Sequence, residues 1–293
     1  MVLVLGVDAG GTTSKAVIAD ASGVILGRGS GGPGNPSAVG ASAASAIGSA
    51  VRSALGTLDP GSVASGVVGV AGVSMLADPG VAAAFQAQWV TLGLTCEIEI
   101  VGDAETAFAA GGPWSSGAVL VSGTGAVAAL IDALRVVRTA DGLGWLLGDE
   151  GSGMWLGLQA VRSAARHWSA TGLAARVAAH AGATSPDQLV HWAGQLPLAS
   201  FATLAPVVCA LADAGDPAAE RIVTEAVARL VATLDELEAP GEPVVLAGAL
   251  LVTETPVRRG VLKALAARGV EVGTARDPAL GAARLAAVRG VGS

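Results

Sequence analysis

Residues 6–15 have the side-chain types and the backbone freedom that binding of a nucleotide phosphate requires. The apolar run before them, residues 2–7, has the length and β-branched content of a buried strand, and an acid, two glycines and hydroxyls follow at once. Glycine lacks a Cβ and can take positive φ, threonine donates through its hydroxyl, and a carboxylate can hold a cation through water. We therefore predict a cation ligand followed by a phosphate-binding turn, at Asp8, Gly10, Gly11, Thr12 and Thr13.

The same stretch also fits a tight β-hairpin turn. Residues 14–20 and 24–29 look like a second and a third strand, joined by residues 21–23. No Gly-Lys-Ser/Thr follows at the required spacing, so the stretch is not the phosphate loop of the P-loop NTPases. The hairpin and the phosphate-binding interpretations are compatible, and both stay open.

A second glycine turn, Gly123-Thr124-Gly125, follows a predicted strand at residues 118–122. Together with Ala128 it fits the dinucleotide-binding fingerprint, which requires a strand about 20 residues further on that ends in an acid. The chain offers a glycine-rich loop at residues 141–148 instead. A second phosphate hairpin, which repeats the architecture of residues 2–29, fits the sequence better.

Two polar residues lie where predicted elements begin or end. Asp103 follows a predicted strand at residues 97–101, and ligands gather outside the carboxyl ends of strands in open α/β sheets. Asp103 also fits the N-cap of a helix over residues 104–110. Asn35 lies in a loop rich in Gly and Pro, before a predicted helix over residues 38–55. It is either a turn residue before proline or a ligand of sugar hydroxyls, because its amide donates and accepts.

The most specific pattern is Gly-Trp-Leu-Leu-Gly-Asp-Glu-Gly-Ser-Gly-Met-Trp-Leu-Gly at residues 144–157. Its adjacent carboxylates, Asp149 and Glu150, precede a predicted helix that begins near Gly153, and they fit helix-start charges favoured by the helix dipole. Five glycines in so short a segment are unfavourable in backbone entropy, however, and indicate a main chain that bends tightly against something. We therefore interpret the segment as functional.

Beyond this segment the chain is predicted to be mostly helical from residue 153 to residue 237. Breaks are predicted near residues 182–186, 194–197 and 215–217. A buried strand at residues 243–247 then ends in Gly248, and a final helix begins at Pro278. The three histidines lack metal-ligand spacing, and we assign them no role.

The composition excludes several classes of protein. A chain of 293 residues is long enough for two α/β domains. The net charge of −7 argues against a nucleic-acid surface, and the two cysteines suit a reducing cytoplasm without forming a zinc or iron–sulfur ligand set. The mean hydropathy is high, +0.61, but glycine turns cut the longest charge-free window, residues 107–131, into pieces too short to span a membrane. With no leader peptide before the first strand, we expect a cytoplasmic protein with neither nucleic acid nor membrane as partner.

Two motifs carry a resemblance to known families. The strand, Asp-x-Gly-Gly-Thr and hairpin of residues 2–20 resemble the first phosphate segment of the actin, Hsp70 and hexokinase superfamily. Gly-Asp-Glu-Gly-Ser-Gly with an upstream Gly-Trp resembles the signature of N-acetylglucosamine and glucosamine kinases in the BadF/BadG/BcrA/BcrD ATPase family. The resemblance implies an α/β, two-lobed actin-like ATPase fold, a duplicated ribonuclease H-like fold with the nucleotide in the interdomain cleft. The implied lobes are residues 1–111 and 112–293, with the last helix packing back toward the hinge.

The resemblance also implies roles for individual residues. Asp103 would be the catalytic base that accepts the proton of the sugar 6-hydroxyl, and Asp8 would orient Mg²⁺ through its water shell. The implied nucleotide ligands are Gly10, Gly11, Thr12, Thr13, Lys15, Gly123, Thr124, Gly125 and Gly248. The implied sugar ligands are Asn35, Gly72, Ser74, Asp103, Trp145, Asp149 and Glu150.

We therefore expect a kinase that uses ATP and Mg²⁺ to phosphorylate the 6-hydroxyl of N-acetylglucosamine or glucosamine, and relatives suggest a homodimer. Alternatives are a kinase for N-acetylmuramic acid or another hexose, a family ATPase that activates 2-hydroxyacyl-CoA dehydratases through an iron–sulfur cluster, and a non-catalytic sugar sensor. The choice between a 2-acetamido and a free 2-amino group is open, because Pro36 and Ser37 after Asn35 differ from the bulkier residues of animal N-acetylglucosamine kinases.

Overall fold

The computed structural model describes residues 2–290, which divide into two compact units. The first unit contains residues 2–115, 133–135 and 275–290, and the second contains residues 116–132 and 136–274. These units differ from the predicted lobes, residues 1–111 and 112–293, chiefly at the C-terminal end of the chain. The last described helix belongs to the first unit because it packs on the sheet of that unit.

The first unit is built on a mixed sheet of five strands: β1 Leu3–Ala9, β2 Ser14–Asp20, β3 Ile25–Gly31, β4 Val63–Val70 and β5 Ile98–Gly102. Their order across the sheet is β3-β2-β1-β4-β5. β2 pairs antiparallel with β1 and with β3, whereas β1, β4 and β5 run parallel. The parallel strands deliver their carboxyl ends to one edge, which therefore carries Asp8 and Asp103.

The second unit is built on a sheet of the same topology: β6 Gly117–Ser122, β7 Ala126–Asp132, β8 Arg135–Asp141, β9 Val244–Ala247 and β10 Val272–Thr274. Only the first residue of β8, Arg135, is counted with the first unit. Its order, β8-β7-β6-β9-β10, repeats that of the first sheet strand by strand, with β7 antiparallel to β6 and with β6, β9 and β10 parallel. The predicted repetition of the first hairpin is confirmed. The dinucleotide-binding interpretation is wrong, because a strand follows Gly125 where that motif requires a helix.

In chain order, the helices of the described chain are α1 Pro36–Val39, α2 Ser42–Leu55, α3 Pro79–Thr91, α4 Asp103–Gly111, α5 Gly153–Arg166, α6 Gly172–Ala181, α7 Pro186–Gln195, α8 Ala205–Asp213, α9 Pro217–Asp235, α10 Ala249–Val252, α11 Pro256–Ala267 and α12 Pro278–Gly290. α1–α4 and α12 belong to the first unit, and α5–α11 belong to the second. The predicted breaks between residues 153 and 237 fall at helix ends. The single helix predicted over residues 38–55 is instead two helices, because Gly40 takes a φ of 59° between them.

Each unit has its own apolar core. In the first unit, Leu5 and Val7 of β1 are fully buried and share a core with α2 residues such as Ile47. In the second unit, Leu246 of β9 is fully buried in a core that includes Leu230 of α9. The two sheets are therefore rigid supports for the loops at their edges.

Gly6, in the middle of β1, permits the close approach of α12. A Cβ at Gly6 would lie 2.1 Å from the carbonyl oxygen of Ala279 and 2.2 Å from the backbone nitrogen of Ala283. Both atoms belong to the main chain and cannot rotate away. Glycine at this position therefore sets the distance between α12 and the sheet of the first unit.

Within residues 2–290, no single helix is long and apolar enough to cross a membrane. One pair of helical segments, Leu198–Asp213 and Pro217–Asp235, meets the length and composition criteria only when taken together, and the two segments are bent by 113° relative to each other.

We predict that Gly6→Ala lowers the free energy of unfolding by about 1–3 kcal/mol, because overpacking against a fixed backbone displaces α12 or β1. Urea denaturation followed by circular dichroism measures this change. Gly32→Ala is the matched control in the same unit, because a Cβ there meets only the Ala46 Cβ, at 3.8 Å. Equal stability of Gly6→Ala and the wild type would show that α12 does not pack as described.

Candidate active site

The turn between β1 and β2 is fixed by its own backbone and leaves polar groups exposed. The N–H of Gly10 donates to the carbonyl oxygen of Thr13 at 3.1 Å, and the N–H of Gly34 donates to the carbonyl oxygen of Gly10 at 2.9 Å. Gly11, Thr12 and Thr13 are exposed, and a Cβ at Gly11 would meet nothing within 4 Å. The turn thus presents open backbone and hydroxyls beside the end of β1, as the phosphate-binding prediction requires.

Asp8 lies beside this turn, opposite Lys15 in the register of β1 and β2. Burial raises the pKa of Asp8 from its ordinary 3.8 to about 6; the negative charges of Asp103 and Asp277 add to the rise, and Lys15 opposes it. A partly desolvated carboxylate among like charges favours a bound proton or a bound cation. Among residues 2–290 no three His, Cys, Asp or Glu side chains form a metal-binding group. A magnesium ion that keeps most of its waters needs only one or two carboxylates and the phosphates of a nucleotide, so Asp8 fits this ion.

Asp103 is the first residue of α4, directly after β5. Its carboxyl is partly buried, and burial raises the pKa, whereas the backbone N–H of Ala104 lowers it. The alternative role as an N-cap is wrong, because Gly102 occupies the cap position. The structure therefore places Asp103 at the same sheet edge as Asp8, close enough for its charge to affect the pKa of Asp8.

Asn35 and Gly72 lie together in the first unit. Asn35 is the N-cap of α1, and its Oδ1 accepts from the N–H of Ser37 at 2.8 Å. A Cβ at Gly72, which has a φ of 75°, would lie 2.8 Å from Asn35 Oδ1 and 2.2 Å from Ser37 Oγ. The turn interpretation of Asn35 is thus correct, and its amide NH₂ and the second lone pair of Oδ1 are the groups that it can offer to a ligand. Ser74 follows in an exposed turn of 3₁₀-helix, Val73–Ala77.

In the second unit, the turn Gly123–Gly125 is bound to the start of α5. The N–H of Gly123 donates to the carbonyl oxygen of Gly125 at 2.9 Å. The carbonyl oxygens of Gly123 and Thr124 accept from the N–H groups of Gly153 and Met154, at 2.8 and 3.2 Å. The turn is therefore held by its carbonyl groups, while the Thr124 side chain is exposed.

Asp149 has a strained backbone and a constrained carboxylate. Its φ is 56°, and its Oδ1 accepts from the N–H of Ala126 at 2.9 Å. Burial raises the pKa of Asp149, the N–H of Ala126 lowers it, and the nearby Asp141 carboxylate raises it. Left-handed backbone at a residue other than glycine is uncommon and persists only where surrounding contacts enforce it.

The other two predicted sugar ligands of the second unit have different surroundings. Glu150 forms an ion pair with Arg229 of α9, at 3.1 Å, and both side chains are substantially exposed. Trp145 is 44% exposed and lies in an apolar, exposed loop with Leu146 and Leu147. A role of either residue in sugar binding stays a prediction.

Asp141, the last residue of β8, supports the site although no sequence motif assigned it a role. Its carboxylate accepts from the N–H groups of Asp149 and Glu150, at 2.7 and 2.9 Å. The only sequence signal is the Asp141-Gly142 pair, which is typical of a turn and gives no indication of the partners eight and nine residues later. Asp141 thus holds the segment that carries two of the predicted sugar ligands.

A cavity of about 450 Å³ opens beside Gly123 and Thr124 in the second unit. Its walls also come from α5, α8, α10 and the segment before α11, and include Gly153, Cys209, Asp213, Ala249 and Thr253. Gly248 lies at the start of α10 with a φ of 82°, and a Cβ there would lie 2.4 Å from the carbonyl oxygen of Ser122. Only glycine therefore fits at this position, where the segment after β9 lies against the end of β6 beside the cavity. The size of the cavity suits the nucleoside part of a nucleotide.

The model of one protein family matches a stretch of the chain that includes both glycine turns and all the candidate site residues. The profile of the BadF/BadG/BcrA/BcrD ATPase family matches residues 5–286. The chain belongs to this family. The family implies that the nucleotide is ATP. The chain has the α/β fold of the two-lobed actin-like ATPases.

Several solved structures are similar to this chain in fold. A candidate N-acetylglucosamine kinase from Chromobacterium violaceum is 26% identical with a TM-score of 0.78, and the match covers 97% of this chain and 99% of that one. A candidate N-acetylglucosamine kinase from Porphyromonas gingivalis is 24% identical with a TM-score of 0.72 over 96% of each chain. A ROK family glucokinase from Streptomyces griseus, in complex with glucose and AMPPNP, is 19% identical with a TM-score of 0.63, over 97% of this chain and 99% of that one. No curated protein matches the chain.

For this ATPase-family protein we predict that Asp8→Asn stabilises the ligand-free form at neutral pH. The folded pKa of about 6 exceeds the ordinary 3.8, so the folded state binds the proton more tightly and the wild type loses stability as pH rises between these values. Asparagine removes that penalty, which is at most about 3 kcal/mol. Thermal unfolding at pH 3.5 and pH 7.5 measures the difference, which should be present at pH 7.5 and small at pH 3.5.

Asp20→Asn is the control of opposite sign for this measurement. Hydrogen bonds from the Ser22 hydroxyl and the Val24 N–H lower the pKa of Asp20, so its carboxylate favours the folded state as pH rises. The Asp20 variant should therefore be less stable than the wild type at pH 7.5. An Asp8→Asn variant that is also less stable at pH 7.5 would contradict the described surroundings of Asp8.

Proposed function

We propose that the protein is a sugar kinase that transfers the γ-phosphoryl group of ATP to the 6-hydroxyl of an amino sugar, with N-acetylglucosamine as the preferred acceptor. The observation that carries the proposal is the pair of carboxylates, Asp8 and Asp103, at one sheet edge of the first unit. Asp8 is suited to bind a hydrated magnesium ion, and Asp103 is suited to act as a general base. Phosphoryl transfer requires both, together with correct alignment of the reactants.

In this proposal Asp103 accepts the proton of the sugar 6-hydroxyl while that oxygen forms its bond to the γ-phosphorus. The bond from the γ-phosphorus to the bridging oxygen breaks, and ADP leaves with the electron pair. The raised pKa makes Asp103 a stronger base than an exposed aspartate. Mg²⁺ supplies charge neutralisation on the phosphates when bound, and Asp8 orients it.

The nucleotide ligands proposed are the backbone and hydroxyl groups of the two turns, Gly10–Thr13 and Gly123–Gly125, with Lys15 as a cationic partner of the phosphates. The exposed backbone of the first turn and the cavity beside the second support this assignment. Gly248 precedes Ala249, which lines that cavity, and we propose that it allows the adenosine to approach the backbone. Both turns follow a strand of the repeated sheets, which is where anions are bound in open α/β folds.

The sugar ligands proposed are Asn35, Gly72 and Ser74 from the first unit and Trp145, Asp149 and Glu150 from the second. A small cavity beside Asp149, of about 20 Å³, favours an acetamido group over a charged amine. It is lined by Trp145, Met154, Trp155 and Leu158, and it has room for one methyl-sized group. A methyl group is stabilised by contact with these apolar side chains.

The similar structures give independent support. The relative from C. violaceum is named as a candidate N-acetylglucosamine kinase, and the glucokinase from S. griseus holds glucose and an ATP analogue. We also propose a homodimer, as the sequence resemblance implies, and a place in the cytoplasm, which the two unpaired cysteines suit.

The cysteines argue against an activator ATPase with an iron–sulfur cluster. Cys209 is buried, and burial, with the negative charge of Asp213, raises its pKa to about 11. Cys96 lies in the other unit, and burial raises its pKa as well. Iron–sulfur clusters are held by several Cys thiolates, whereas the two cysteines of this chain belong to different units, so neither has a second cysteine of its own unit beside it.

We predict that Asp103→Asn lowers kcat by about 10²- to 10⁴-fold, because the variant lacks the base, while its affinity for ATP stays within a few-fold of the wild type. Coupled ADP release with N-acetylglucosamine, glucosamine, N-acetylmuramic acid and glucose, at equal concentration, measures both activity and preference. We expect N-acetylglucosamine to give the highest kcat/KM, by about 10- to 200-fold over glucosamine.

Glu97→Gln, directly ahead of β5, is the matched control and should keep wild-type activity. Unchanged kcat in Asp103→Asn would contradict the role of Asp103. ADP release that no sugar stimulates would contradict the kinase, and highest activity with glucosamine would contradict the preference for an acetamido group.

A further inference from the structure

The loop between β8 and α5 is closed by one carboxylate. Asp141 ends β8 with a φ of 59°, and its two oxygens accept from separate backbone groups: Oδ1 from the N–H of Asp149 at 2.7 Å and Oδ2 from the N–H of Glu150 at 2.9 Å. Hydrogen bonds to an ionised acceptor are shorter and stronger than neutral ones. Residues 142–148 thus form a closed loop whose two ends meet at Asp141.

The neighbouring residues are adapted to this arrangement. A Cβ at Gly148 would lie 1.9 Å from Asp141 Oδ1, so only glycine leaves room for the carboxylate. Gly142 has a φ of 72°, and its N–H donates to the carbonyl oxygen of Ala126 at 3.1 Å. The N–H of the same Ala126 donates to Asp149 Oδ1 at 2.9 Å. Strand β7 therefore holds the two ends of the loop that Asp141 joins.

Asp149 is constrained by these contacts at both backbone and side chain. Its N–H is bound by Asp141, its carboxylate is bound by Ala126, and its φ of 56° lies in the region that other residues than glycine rarely adopt. Without the carboxylate of Asp141, two N–H groups would lose their acceptor and the left-handed conformation would lose its main support. The direction of the Asp149 side chain thus depends on Asp141.

We propose that Asp141 is the positioning residue of the sugar site: its carboxylate fixes the backbone of Asp149 and Glu150 and thereby sets where the Asp149 carboxylate meets the acceptor hydroxyls. This inference rests on the proposed function, in which Asp149 binds the sugar. The hydrogen bonds of Asp141 come from backbone N–H groups, so its proposed role is to position Asp149. We therefore expect its loss to weaken sugar binding far more than nucleotide binding.

The test compares Asp141→Asn with the wild type in two measurements on the full chain. Asparagine keeps the size of the side chain but replaces one acceptor oxygen by an NH₂ group, which cannot accept from a backbone N–H. We expect the KM for N-acetylglucosamine to rise about 10- to 100-fold, the value for the loss of a hydrogen bond to a charged group, with the KM for ATP within twofold. Asp132→Asn, at the end of the neighbouring strand β7, is the matched control and should leave both constants unchanged.

Hydrogen–deuterium exchange supplies a readout that needs no activity. The amides of Asp149 and Glu150 should exchange at least about tenfold faster in Asp141→Asn, while those in the middle of α5 keep their wild-type rates. Should Asp141→Asn fail to fold, Gly148→Ala tests the same contact, because its Cβ displaces the carboxylate. Faster exchange with a raised sugar KM supports the proposal.

Unchanged exchange at both amides would overturn the proposal, and so would faster exchange with an unchanged sugar KM. Equal increases in the KM for sugar and for ATP would indicate a general structural role and would also overturn it. Absence of sugar-dependent turnover in the wild type would contradict the proposed function, and the positioning role in sugar binding with it. The exchange rates would then still decide whether Asp141 holds the segment.

Discussion

Burial of negative charge at the carboxyl ends of β1 and β5 is the constraint on which the first unit depends. Asp8 and Asp103 are partly withdrawn from water, and each raises the free energy of the folded state when ionised. The sheet brings them together because β1, β4 and β5 are parallel, and α12 packs against β1 at Gly6. Such an arrangement is unfavourable for stability alone and is typical of a site that binds a cation and moves a proton.

The second unit has the same sheet topology as the first, but its loops are held in a different way. Its strands β6 and β7 form a hairpin like that of β1 and β2, but its loops are fixed by backbone contacts with the start of α5 and with Asp141. The repeated sheet therefore supports two kinds of loop: an exposed turn near carboxylates in one unit, and a constrained segment that presents Asp149 in the other. The division of roles follows from the loops, because the sheets themselves are alike.

Sequence patterns predicted the parts of the fold that depend on local chemistry. The strands, the glycine turns and the breaks between helices follow from runs of apolar residues and from Gly and Pro. Contacts between distant residues were not predictable: Glu150 pairs with Arg229, 79 positions away, and Asp141 binds only backbone groups, which leave no residue signature. The position of Asp103 after a strand was predicted correctly. The alternative prediction, that Asp103 is the N-cap of α4, was wrong because Gly102 is the N-cap.

Transfer of the γ-phosphoryl group to the 6-hydroxyl of the sugar can be followed by ³¹P NMR of the purified protein with ATP, Mg²⁺ and N-acetylglucosamine. We expect the γ-phosphate resonance of ATP to be replaced by a phosphomonoester resonance that couples to the two protons on C6 of the sugar, in equal amount to the ADP formed. Formation of inorganic phosphate in place of a sugar phosphate, at a rate independent of the sugar, would contradict the proposed transfer.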